Sequence, residues 1–104
     1  MSGSRRAVRV TSDLFRDLDR ALPTERGPAG QPSAIDFQTL ELLRIVEHFA
    51  VSFDDLPELF PDRAYYRLFI AAGMLVPRFS VIGQLAADGA VELVQLEIDL
   101  DALW

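Results

Sequence analysis

Three groups of side chains in this 104-residue sequence are of types that could do chemistry. Tyr65, Arg67 and Arg78 form a cationic and phenolic set if they share one sheet face. His48, the only histidine, follows Glu47 and sits one helical turn beyond Arg44. A lone imidazole could act as a base or a ligand, but among charged neighbours on the wet side of a helix it reads as solvated surface. Asp54, Asp55, Glu58 and Asp62 form the third group. Their spacing matches no Ca²⁺ loop and lacks a glycine at the turn, so they read as a solvated, helix-capping connector. With no cysteine and no second histidine, no transition-metal site, thiolate nucleophile or cofactor is expected. No Gly-rich phosphate loop, GxSxG elbow or Ser/His/Asp grouping occurs.

The elements that position these groups centre on residues 65–100. Asp88-Gly89 tolerates the positive φ of a tight turn and is flanked by Val-, Ile-, Leu- and Phe-rich runs, which predicts a hairpin. If the dipeptide is the whole loop, Ala87 faces Ala90, Gly83 faces Val94, Val81 faces Leu96, Phe79 faces Ile98 and Arg78 faces Asp99. One face then collects Phe79, Val81, Val94, Leu96 and Ile98, and the other Arg78, Ser80, Glu97 and Asp99. Toward the tip Ile82, Ala86, Val91 and Leu93 fall on the polar face as an apolar patch, a candidate partner-binding surface unless the hairpin twists or bulges there. A preceding strand, Tyr65 to Ile70, turns at Gly73, for which a left-handed conformation is expected. The parity that keeps Arg67 out of the core buries Tyr66, Leu68 and Ile70 and places Tyr65 and Arg67 beside Arg78. Pro77, lacking an N–H, requires a break in the ladder near Val76.

Upstream, Val8 and Val10 alternate with Arg9 as a short first strand. Ser12 is expected to cap a helix carrying Leu14, Phe15, Leu18 and Leu22, which Pro23 ends. Thr24–Pro32 is a loop by composition. Ser33 with Asp36 predicts a capping box for a second helix, whose apolar stripe is read as Ile35, Leu42, Val46 and Phe49, widened by Leu40, Leu43 and Ala50. Glu41, Arg44, Glu47 and His48 mark its wet side, and Phe53, Leu56, Leu59 and Phe60 tuck against the sheet edge. The predicted class is α+β in one domain, residues 1–104, ordered β-α-α-β-β-β, with a helical hairpin on one face of an antiparallel meander.

Net charge is −6 and uneven: six Arg against four acids over residues 1–26, four against seven over 27–78, none against five over 79–104. Phosphate binding needs cations, so the last quarter should repel RNA or DNA. No run approaches the ~18 apolar residues of a membrane span, and with the polar start a cytoplasmic location is expected. Trp104 pins a tail or meets another subunit.

In element order, and in the segment Leu56-Pro-Glu-Leu-Phe-Pro-Asp-Arg-Ala-Tyr-Tyr-Arg-Leu-Phe-Ile-Ala-Ala-Gly73, the chain resembles the RelE/ParE superfamily of bacterial type II toxins. The resemblance spans about Arg5 to Leu100 and implies pairing with an antitoxin. Members that cleave messenger RNA use basic groups on the exposed sheet face with an aromatic or basic group near the C-terminus. It therefore implies Arg67 and Arg78 as cations, with Tyr65 as proton donor or stacking platform. The chain departs from that pattern at Phe69, at Leu75 and Val76, and at the acidic Glu97 to Asp101. Asp99 opposite Arg78 offsets that charge, which favours a toxin-like protein acting by protein binding through Ile82, Ala86, Val91, Leu93 and Trp104. A ribosome-dependent endoribonuclease and an acidic inhibitor of immunity type are the alternatives. A homodimer through a strand edge or Trp104 is a further arrangement.

Overall fold

Alternation at the N-terminus and along residues 58–99 produces strands, and in the computed structural model, which describes residues 5–28 and 30–100, they join one sheet. The strands are β1 (Val8–Val10), β2 (Glu58–Phe60), β3 (Arg63–Ala71), β4 (Arg78–Leu85) and β5 (Val91–Asp99), in the spatial order β1-β5-β4-β3-β2. β2 to β5 form an antiparallel meander, and β1 pairs parallel to β5. Helix α1 (Ser12–Ala21) and a longer rod cover one face. The rod comprises α2 (Ala34–Asp36), a π-helical turn (Phe37–Glu41) and α3 (Leu42–Ser52). This is the expected α+β architecture, with β2 added at one edge and a mixed rather than purely antiparallel sheet. Among the described residues no helix is long and apolar enough to cross a membrane.

The hairpin between β4 and β5 corrects the expected register at its tip. The loop has three residues, Ala87-Asp88-Gly89: Ala86 N–H donates to Ala90 O (2.7 Å), Gly89 N–H to Ala86 O (3.0 Å), and only Gly89 has positive φ (90°). That is a turn closed by a left-handed glycine, which displaces the pairing by one residue relative to a two-residue loop. Leu85 therefore faces Val91 and Gly83 faces Leu93. Val94 is then bulged out, and from Ile82–Gln95 to Arg78–Asp99 the pairs are those expected. The bulge turns Val91 and Leu93 into the core, where both are fully buried.

β3 has the opposite parity to that expected. Phe69 faces Val81 and Ala71 faces Phe79 on the helix side, whereas Tyr66, Leu68 and Ile70 point away, Ile70 being 56% exposed. Gly73 is not left-handed. Its place is set by crowding, because a Cβ there would stand 2.6 Å from Glu41 Oε1 and 2.9 Å from Val76 O. Gly83 likewise lets the Phe49 ring lie on the sheet, since a Cβ would meet it at 2.4 Å. Pro77 precedes β4, outside the ladder as expected.

Thr11, one residue before the expected cap, closes α1: its hydroxyl accepts from Leu14 N–H (3.3 Å) and donates to Leu93 O (2.8 Å). Leu14, Leu18 and Leu22 are buried as their spacing predicts, and each such side chain contributes about 1.5–3 kcal/mol. On the rod the buried stripe is Phe37, Glu41, Leu42, Ile45, Phe49 and Ala50, while Ile35, Leu40 and Leu43 are exposed, which corrects the expected face. The π-helical turn, with Leu42 N–H donating to Phe37 O, inserts about one residue and rotates the stripe. Glu41 is thereby carried from the expected wet side into the core at 2% exposure, where Oε1 accepts from Met74 N–H (2.7 Å) and Leu75 N–H (3.0 Å). A buried carboxylate so engaged anchors the β3–β4 connection to the rod.

Glu41→Ala leaves those two N–H groups unsatisfied and should lower the unfolding free energy by about 2–3 kcal/mol in denaturant titration, whereas Glu41→Gln, keeping the acceptor, should recover most of the loss. The Ser33–Asp36 capping box forms as predicted, and Arg26 grips Asp36 through two bonds of 2.7 and 2.9 Å. The Arg26 guanidinium and then the Ser33 N–H hold the Asp36 carboxyl well below the usual carboxylate range. A carboxyl depressed in the folded state stabilises fully above its unfolded pKa of about 4 and loses that contribution as pH falls toward its folded value. Thermal melts of wild type and Asp36→Asn should therefore differ most near neutral pH, and the difference should begin to shrink only as pH falls below about 4 and continue to shrink with further acidification.

Candidate interaction face

The face of the sheet turned away from the helices is built by alternate residues of every long strand. β3 presents Tyr66, Leu68 and Ile70; β4 presents Arg78, Ser80, Ile82 and Gln84; β5 presents Glu92, Gln95, Glu97 and Asp99. None of these is buried. Leu68 and Ile82 are a direct cross-strand pair, with Ile70 opposite Ser80 and Tyr66 opposite Gln84. An aliphatic column therefore runs along β3 and β4.

An aromatic group closes one end of the column. Phe60 meets Tyr66 edge to face at 5.8 Å, Tyr65 lies 4.8 Å from Tyr66, and the Arg63 guanidinium stands 5.6 Å over the Phe60 ring. Phe60 is 47% and Tyr65 44% exposed. Tyrosine and arginine around a rigid aliphatic patch are the composition that supplies most energy in protein interfaces.

β5 gives the other border a different character. Arg9 of β1 is tied to Asp88 (2.8 Å) and Glu92 (3.2 Å), and holds the Asp88 carboxyl below its ordinary value. Arg78 faces Asp99 as predicted, and both are engaged. They sit at the mouth of an open cleft of about 770 Å³ whose cations Arg20 and Arg78 are matched by Asp17, Glu97 and Asp99. Glu97 makes no ion pair among the described residues.

The expected cationic set does not assemble. Arg67 lies on the helix side of β3 opposite Gly83, five residues along β4 from Arg78, or roughly 16 Å at the rise of a strand. Its side chain is 12% exposed. Arg67 Nε donates to Ala64 O (2.7 Å), and Nη1 donates to Asp54 O (2.9 Å) and Leu56 O (2.8 Å), with the guanidinium 5.4 Å over the Phe53 ring. The group is spent on the main chain of the connector between α3 and β2. Tyr65 sits at the aromatic end, away from Arg78. His48 is half-buried and stacks parallel on Phe69 at 4.1 Å, above a crevice of about 100 Å³ that it shares with Glu41 and Arg44. No cluster of metal-ligating side chains is present among the described residues.

Of the expected contact residues, Ile82 and Ala86 are half-buried, with Ile82 on the open face. Val91 and Leu93 are core, a correction forced by the bulge, and Trp104 lies outside the described residues. Tyr66, Leu68 and Ile70 stand on the open face rather than in the core, because it is Arg67 that takes the inward parity. The signal in the sequence for this parity is Phe69, whose bulk fits opposite Val81, and the structure adds the carbonyls of Asp54 and Leu56 that accept from Arg67.

Protein-family models, curated proteins and solved structures were compared with the chain, and none matches.

Arg67→Ala removes the donor from three carbonyls and should cost about 2–3 kcal/mol of stability. Equilibrium unfolding should show this as a lower denaturation midpoint; an unchanged midpoint would return Arg67 to the list of free cations available for catalysis.

Proposed function

We propose that this chain is a protein-binding domain of RelE/ParE-like architecture, a toxin or a toxin without catalysis, paired in the bacterial cytoplasm with an antitoxin. The observation that carries the reading is the uncovered column of Tyr66, Leu68, Ile70 and Ile82. A single sheet covered by helices on one side leaves its second face to solvent, and polar alternation is the ordinary way to satisfy it. Four apolar residues grouped there, next to exposed aromatic rings, are instead the makings of a contact surface. The element order and the helical hairpin on one face support the architecture.

Messenger cleavage receives less support. Arg67 is bonded to main-chain carbonyls, Arg78 faces Asp99, and Tyr65 is distant from Arg78, so these three groups do not converge on one point.

The test is expression of the chain alone in bacteria, then together with the product of its adjacent reading frame. Growth inhibition relieved by co-expression is expected, with relief and co-purification both lost for Leu68→Glu. Unaffected growth together with no complex between the two products would refute the pairing.

A further inference from the structure

The open face has two unlike halves, and their difference identifies what would cover it. Toward β3 lie the apolar side chains of Tyr66, Leu68, Ile70 and Ile82. Toward β5 lie Glu92, Glu97 and Asp99, with Asp88 at the hairpin tip. The cations on this side are Arg9, already bonded to Asp88 and Glu92, Arg78, opposite Asp99, and Arg20, which lines the same cleft and pairs with Asp17. With Asp17 counted, five carboxylates against three guanidiniums leave two negative charges, and Glu97 is without an ionic partner among the described residues.

We propose that this face takes an amphipathic helix of a partner protein, its apolar stripe seated on β3 and β4 and one edge of that stripe lined with Lys or Arg over β5. The inference rests on the protein-binding reading above and adds the chemistry of the partner.

Geometry favours a helix over an added strand. The apolar atoms stand on the face of the sheet, not at its rim. β3 is flanked by β4 on one side and β2 on the other, and Leu68 N–H, which points outward, already donates to Pro57 O at 3.0 Å. Tyr66, Leu68 and Ile70 span two pleat repeats, roughly 13–14 Å, which matches about two and a half turns of helix. The opposite face of the same sheet is covered by helices in this way, so a helix here completes a three-layer packing.

Charge decides the partner's sign. An acidic helix would meet like charge at Glu97 and Asp99, whereas a basic border gains attraction and faster encounter that salt weakens.

The experiment selects random peptides of about sixteen residues, a little over four helical turns, by display against the immobilised full chain. Enriched sequences should carry apolar residues at i, i+3 or i+4, and i+7, with a net charge of about +2 or more. A synthetic consensus peptide should lose about tenfold in affinity for Leu68→Glu, severalfold for Glu97→Arg, and severalfold between low and high salt. Circular dichroism of both variants should match wild type, since both sites are on the open face. A consensus abolished by Leu68→Glu but lacking basic excess would overturn the proposed partner while leaving the protein-binding face intact. A consensus indifferent to Leu68→Glu, or no enrichment, would overturn the face itself. The growth assay above reports separately on the toxin–antitoxin pairing.

Discussion

The β4–β5 register is the constraint on which the rest depends. A three-residue loop offsets the tip by one position, and the Val94 bulge takes the offset back. Between those two corrections Val91 and Leu93 face the helices, and over this same stretch β1 pairs with β5, Val8 with Val91 and Val10 with Leu93. At the bulge the partners of β5 change. Thr11 bonds Leu93 O and caps α1, and beyond it the Asp17 carboxylate accepts Leu96 N–H at 3.0 Å, where β1 has ended. One extra residue thus determines where β1 stops, where α1 begins and how it lies along β5. Such a bulge is a specified feature of the fold, because a single-residue slip would send each apolar side chain to the wrong face.

One acidic and one basic side chain are withdrawn from water, and in both cases the close hydrogen bonds go to the main chain, with a looser ion pair beside them, Arg44 to Glu41 and Glu58 to Arg67, each at 4.0 Å. Glu41 holds the β3–β4 connection through two N–H groups, and Arg67 holds the α3–β2 connector through carbonyls. These are connections without regular ladders, so their polar backbone groups need satisfaction from elsewhere. The sign of each charge fits what the segment leaves unpaired: donors at Met74 and Leu75, acceptors at Asp54 and Leu56. Placing Arg67 there fixes the parity of β3, and that parity turns Tyr66, Leu68 and Ile70 outward. The open apolar face is thus a consequence of an internal polar contact, with Phe69 taking the inward position among Phe49, Phe79 and His48.

Electrostatics separates the two faces further. Arginines near the N-terminus are consumed locally, Arg5 by Glu47, Arg6 by Asp54 and Arg9 by Asp88 and Glu92. These pairs are exposed and individually weak. Their combined result is that the basic first quarter of the chain neutralises acids of the α3 and hairpin segments, while Glu97 makes no ion pair among the described residues. The surface offered to a partner is aliphatic and aromatic on one side and acidic on the other, a poor surface for phosphate and a suitable one for a cationic, amphipathic peptide.

By itself the sequence determined the α+β class and the order β-α-α-β-β-β of the main elements without the edge strand β2, the Ser33–Asp36 cap, the inward leucines of α1 and the pairing from Arg78–Asp99 to Ile82–Gln95, because each of these follows from short-range spacing and turn chemistry. Tertiary structure alone decided the bulge at Val94, the parity of β3, the π-helical turn that carries Glu41 inward, and hence which face is left open. The reason is physical. A strand's two faces differ only by what lies across from them, and a charged side chain can be buried only where distant backbone groups converge on it, as residues 54–56 do on Arg67 and residues 74 and 75 do on Glu41. Periodicity contains neither piece of information.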